Sequence, residues 1–244
     1  MSSVVDGEIV PLACVEARIE AFDWPFARER ASEIAEHWAR ISAGKPMFNG
    51  RVMLQHSAEI AGDVFRARYF EADYAAFMAW RDFGHPGPAI RNGFAMAALR
   101  AADGAFLLGR MGEHTANPGK VYFAAGTPDA EDARPDGSLD LAGSVTRELC
   151  EETGLLPNEM TIEERWTAVI APGRVAFMRP VAIALDAEAA RELILARIAQ
   201  QEEPELADIV IVRTLADCAD HDMPPFMTAY LAHIFGTVRD DPSV

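Results

Sequence analysis

Hydrophobic and polar positions alternate early in the chain. Val15, Ala17, Ile19 and Ala21 interleave with Glu16, Arg18 and Glu20, the two-residue period of a strand with one buried face. Pro25 then opens a stretch to Ile41 in which Ala27, Ala31, Ile34, Trp38 and Ile41 recur at helical spacing. This predicts one helix with proline in its first turn. Strand-like runs follow over 51–56 and 63–70, and 72–82 reads as a helix with Tyr74, Phe77 and Met78 on one face. Gly84-His85-Pro86-Gly87-Pro88 breaks any regular element. It is read as the boundary between an N-terminal α+β portion, 1–88, and a second unit, 89–244.

In that second unit, Phe94–Leu99 and Ala105–Leu108 flank Ala102-Asp103-Gly104, which predicts a hairpin about an Asp-Gly turn. A short strand over 121–125 precedes a polar loop, 127–139, punctuated by Pro128, Pro135 and Gly137. A helix is expected from about Asp140 to Thr153, strands near 166–171 and 174–185, a helix over 187–201, a strand over 208–213 and a last helix over 224–236. Strands and helices mixed in this order predict an α/β or α+β sandwich.

Composition narrows the function classes. Half of the 244 residues are hydrophobic and a quarter are charged, and the formal net charge is −16. The composition is that of a globular chain with a real core. A surface this acidic repels phosphate backbones, so no nucleic-acid partner is expected. An anionic small molecule would need arginines or bound cations to screen it. Cys14, Cys150 and Cys218 are far apart and in no CxxC spacing, so neither a disulfide framework nor a zinc site follows. The first residues carry no basic n-region, and no apolar run approaches a membrane span. A cytoplasmic location without membrane attachment is the expectation.

The segment Arg147-Glu148-Leu149-Cys150-Glu151-Glu152-Thr153-Gly154-Leu155 carries the chemistry. On a helix, Leu141, Val145 and Leu149 form a buried stripe. Gly154 falls where a helix ends with positive φ, and Glu148, Glu151 and Glu152 crowd its last turns. Three carboxylates there repel one another and face the negative end of the helix dipole. A cation resolves that conflict, and ligands that are all oxygen suit Mg²⁺ or Mn²⁺. A solvated acidic helix face would account for any one Glu pair. It does not account for the whole string, whose five fixed positions coincide by chance in about one register per million.

Arg-Glu-apolar-x-Glu-Glu-x-Gly-apolar resembles the second half of the Nudix box, G-x5-E-x7-R-E-U-x-E-E-x-G-U, with U aliphatic. Arg91-Asn92-Gly93-Phe94 running to Leu107-Leu108-Gly109-Arg110 is similar to that superfamily's first hairpin, and Pro118 to Gly126 to its strand before a glycine turn. The resemblance covers roughly 89–236. Two departures stand out. Gly126 lies twenty-one residues before Arg147, where the motif has fourteen, so the loop is enlarged. Leu139, with Asp140 beside it, stands where the motif has its first Glu.

The resemblance implies an α/β/α sandwich carrying the N-terminal portion as an addition. It implies metal-dependent hydrolysis of a pyrophosphate bond in a small nucleoside diphosphate derivative of the ADP-ribose or nucleotide-sugar type. Glu148, Glu151 and Glu152 would hold Mg²⁺ (or Mn²⁺), Arg147 would orient them, and the Gly126 or Ala125 carbonyl would add a ligand. One further Glu from a later loop is expected among Glu202, Glu203 and Glu205, with Glu205 favoured. The alternative is a non-catalytic nucleotide-binding or sensor module, and a homodimer stays open. Arg66, Arg68, Tyr69 and Tyr74 are weighed for a base or phosphate and read as an ordinary strand edge and helix face. His85 and His221 read as turn residues without a function.

Overall fold

The computed structural model describes residues 2–44, 47–87 and 90–240. Pro88 and Ala89, between which the sequence reading divides the chain, lie outside them. The strands are β1 (Ser2–Ser3), β2 (Ile9–Leu12), β3 (Cys14–Ile19), β4 (Arg51–Ala61), β5 (Val64–Asp73), β6 (Asn92–Arg100), β7 (Phe106–Met111), β8 (Val121–Tyr122), β9 (Met160–Ile162), β10 (Trp166–Ala171), β11 (Arg174–Ile183) and β12 (Leu206–Val212). The helices are α1 (Pro25–Glu29), α2 (Ala31–Ile41), α3 (Tyr74–Asp82), α4 (Leu141–Thr153), α5 (Ala187–Ile198) and α6 (Pro225–Asp240).

Two sheets form. The smaller has the order β1-β4-β5-β3, and the larger β12-β7-β6-β11-β10-β2, with β8 on β7 and β9 on β11. At the centre of the larger sheet β6 and β11 run parallel, Phe94 beside Ala176 and Met96 beside Met178. Side chains of β6 alternate between two cores, as a pleat requires. Ala95, Ala97 and Leu99 face a core shared with α4 and α5, whereas Met96 and Ala98 face a second core with Phe226, Met227 and Leu231 of α6. Helices therefore cover both faces, and the architecture is the α/β/α sandwich expected.

The smaller sheet shares the first of these cores. Met53 of β4 and Phe65, Ala67 and Tyr69 of β5 point into it, and Phe65 meets Phe177 of β11 edge to face at 4.9 Å. The alternate residues Val52, Leu54, Phe70 and Ala72 bury the aromatic side of α3, including Phe77 and Trp80. The N-terminal strand β2 pairs with β10 in the larger sheet, Trp166 opposite Leu12.

Several elements differ from the sequence expectation. The single helix over 25–41 is two, broken at Arg30 with φ −112° and ψ 25°. The break lets Phe26 pack on Trp24 at 5.2 Å while Ile34 and His37 bury in the same region. The strand over 121–125 pairs with β7 only at Val121 and Tyr122, because the chain then turns towards α4. The helix over 187–201 ends at Ile198. None of the described helices is long and apolar enough to cross a membrane.

Candidate functional site

Helix α4 is fixed at both ends. The Asp140 side chain caps it by accepting from the Gly143 N–H at 2.8 Å. At the other end Gly154 adopts φ 70°, the left-handed turn that glycine permits without strain. Leu141, Val145 and Leu149 are buried against the sheet. Glu152, three residues past Leu149, follows that stripe inward and is only 4 % exposed.

The chain after β8 passes the C-terminal half of α4 at close range. The Ala125 N–H donates to Glu152 Oε1 at 3.0 Å, while Glu152 Oε2 is buried and has no hydrogen-bond partner. A Cβ on Gly126 would stand 2.1 Å from Glu148 Oε1, so the missing side chain is what admits the Glu148 carboxylate. Burial pushes Glu152 up to about 8, against the Ala125 N–H, with the charges of Glu205, Glu148 and Glu151 adding to the rise. Burial likewise raises Glu148 to about 7, against the opposing pull of Arg147. Both carboxyls are thus held where their charge is costly.

Arg147 organises the surrounding carboxylates. Its Nη1 lies 2.9 Å from Glu148 Oε1 and 3.4 Å from Glu151 Oε2. Its Nη2 donates to Asp132 Oδ1 at 3.0 Å. Asp132 sits in the enlarged loop, is buried, and accepts the Asp129 N–H on its other oxygen at 3.1 Å. Sequence reasoning missed it. The available signal was the Asp129-x-x-Asp132 spacing, a reciprocal cap that folds the loop on itself.

The structure brings Glu148, Glu152, Gly126 and Arg147 together. Glu151 is 60 % exposed and reaches the group only through Arg147. Glu205 precedes β12, where its carbonyl accepts the Gly112 N–H at 2.7 Å, and it lines a cavity with Ala125, Gly126 and Thr127. Glu202 and Glu203 are exposed and do not line that cavity. Among the described residues, no three Asp, Glu, His or Cys side chains stand close enough to form a ready-made metal cluster.

The cavity is about 500 Å³, the size of a small-molecule site. Its walls include Tyr74, Phe77 and Trp80 of α3 together with Phe94 and Phe226. His85, read in sequence as a turn residue, also lines it. Arg66 instead pairs with Glu16 at 2.8 Å on the outer surface.

No protein-family model matches the chain, and no curated protein matches it in sequence. Solved structures with partial likeness include a Nudix hydrolase from M. smegmatis, at TM-score 0.42 and 17% identity over 63% of this chain and 89% of that one. A C. elegans Ap4A hydrolase has TM-score 0.42 and 16% identity over 61% and 98%. A MutT protein from Methanosarcina mazei Go1 has TM-score 0.37 and 19% identity over 62% and 96%. Likeness at this level carries no argument about activity, which rests on the residues themselves.

Proposed function

We propose that the chain is a Nudix-type, divalent-cation-dependent hydrolase that splits a pyrophosphate bond in a nucleoside diphosphate linked to a second group. The observation that carries this reading is the Glu152 carboxylate. It is buried, satisfied on one oxygen by the Ala125 N–H and unpartnered on the other, with Glu148 beside it in the space left by Gly126. A buried carboxylate without a partner is costly to keep, and all the donors here are hard oxygens, which fit Mg²⁺ or Mn²⁺. Glu152 and Glu148 would hold the ion, with Glu151 and Glu205 completing the set from either side.

The ion would supply positive charge against the phosphate oxygens and acidify the attacking water. The protein's own groups do the rest. Arg147 keeps Glu148 and Glu151 turned to one side. The Ala125 N–H fixes the orientation of Glu152. Glu148, beside Glu152 in the space left by Gly126, would act as a further ligand or as the base that takes the proton of the attacking water. The aromatic walls of α3 with Phe94 and Phe226 suit a base or sugar face, which supports substrates of the ADP-ribose or nucleotide-sugar type.

A second reading is a nucleotide-binding module without turnover. It is favoured by the exposed Glu151 and by the lack of a ready-made three-carboxylate cluster among the described residues. Product analysis in ¹⁸O-labelled water separates the two. The hydrolase reading expects two phosphorylated products from one substrate, one of them carrying a single ¹⁸O. Tight nucleotide binding with unchanged substrate, in Mg²⁺ and in Mn²⁺, would establish the module instead.

A further inference from the structure

One side of the cavity carries charges that pyrophosphate cleavage does not use. Arg174, the first residue of β11, lies over the Phe226 ring at 5.6 Å. None of the described carboxylates pairs with it. Arg81, in the last turn of α3, lines the same cavity and donates only to its neighbour Asp82, at 2.9 Å. His85 completes the group. Its ring stacks edge-on to Trp80 at 4.5 Å and occupies the space left by Gly173, where a Cβ would come within 2.4 Å.

The backbone is held to keep His85 there. Among the described residues it is the one non-glycine with positive φ, 60°, a conformation that costs energy and tends to persist where the surroundings enforce it. The His85 N–H donates to the Trp80 carbonyl at 2.9 Å. Burial lowers the Arg174 and His85 pKa values, and the charge of Arg81 lowers both further. Two arginines and a histidine thus line one cavity in a chain of net charge −16. The indole N–H of the buried Trp80, which also lines this cavity, has no hydrogen-bond partner among the described residues. The charges that act most on Glu148 and Glu152 are Arg147, Glu151 and Glu205, so the two clusters are distinct.

We infer that Arg174, Arg81 and His85 bind a second anionic group of the substrate, a phosphomonoester on the moiety that packs against α3. The identity of the remainder of that substrate rests on the hydrolase reading above. Arginine gives a phosphate paired, charge-assisted hydrogen bonds, and the dianion relieves the mutual repulsion of the cluster. Arg81, His85 and Trp80 precede residue 88, so the N-terminal portion gains a task, the selection of phosphorylated over unphosphorylated substrates.

The test is equilibrium binding in EDTA, followed by tryptophan fluorescence, of adenosine 2′,5′-bisphosphate and adenosine 3′,5′-bisphosphate against 5′-AMP. At least one bisphosphate is expected to bind about tenfold more tightly than 5′-AMP. Arg174→Met and Arg81→Met should each remove most of that preference, and Arg174→Lys should keep part of it in a folded protein. Equal affinity for all three nucleotides, binding of none, or a preference untouched in both Met variants would overturn the inference. Because no turnover is read, failure of the hydrolase reading shows separately, as intact preference without cleavage.

Discussion

Asp132 and Arg147 are fifteen residues apart and meet at 3.0 Å, Oδ1 to Nη2, where the enlarged loop folds back over α4. The pair ties the enlarged loop to the arginine that also contacts Glu148, at 2.9 Å. Leu139, which stands in the place of the motif's first Glu, is instead buried in the core. Asp132, seven residues before Leu139, is the buried carboxylate that this loop presents to Arg147.

Asp132→Asn should therefore act through Arg147. We expect kcat to fall by about 10- to 100-fold, the range for groups that orient ligands, with KM changed much less. Steady-state kinetics on the two proteins checks this, and an unchanged kcat would mean that the loop does not position the site.

Gly126→Ala should spare the fold and damage the site. The added Cβ would collide with the end of the Glu148 side chain, 2.1 Å away, and that side chain can swing while the backbone stays. The expected outcome is a soluble protein whose melting temperature shifts by only a few degrees and whose activity falls at least about tenfold. Far-ultraviolet circular dichroism and turnover together read both parts.

The raised carboxyls predict a pH dependence of stability with a definite sign. Glu148 and Glu152 are held at about 7 and about 8, above their ordinary value of 4.5. Below that value both states carry the protons and these groups contribute no slope. Between it and about 8 the folded protein keeps protons that the unfolded chain releases, so metal-free stability falls as pH rises. Glu159, held at about 2 by Arg197, contributes stability that is lost progressively as pH falls from about 4.5 to about 2, below this window. Mg²⁺ prefers the ionised carboxylates, so its stabilisation should grow from about pH 5 to about pH 8. Thermal melts in EDTA and in Mg²⁺ measure it. A Mg²⁺ effect that shrinks as pH rises would contradict the site.

Gly154→Ala should loosen the end of α4 that carries Glu151 and Glu152. Alanine is strained at φ 70°, and its Cβ would lie 2.8 Å from the Cβ of Arg197. A loss of about 1–3 kcal/mol is expected in urea unfolding, with a weaker apparent affinity for Mn²⁺.

Local chemistry made α4 legible in the sequence. Its leucine stripe, its Asp140 cap and Gly154 all act within a few residues, and the three glutamates ride on that frame. The break at Arg30 has no such local mark, because it comes from where Phe26 and Ile34 find their partners. The pairing of β2 with β10 joins segments more than 150 residues apart, and no local periodicity encodes it. Asp132 and His85 escaped for the same reason. One acts through Arg147 across a folded loop, and the other is set by Trp80 and Gly173, so neither role exists until the chain is folded.

The most direct test of the central claim is phosphate release, with a coupled phosphatase, from a panel of nucleoside diphosphate compounds in Mg²⁺ by the wild type and by Glu152→Gln. The account predicts turnover of at least one compound by the wild type and a fall of at least about a hundredfold in kcat for the variant. Equal turnover by the two proteins, or none on any compound in either Mg²⁺ or Mn²⁺, would contradict it.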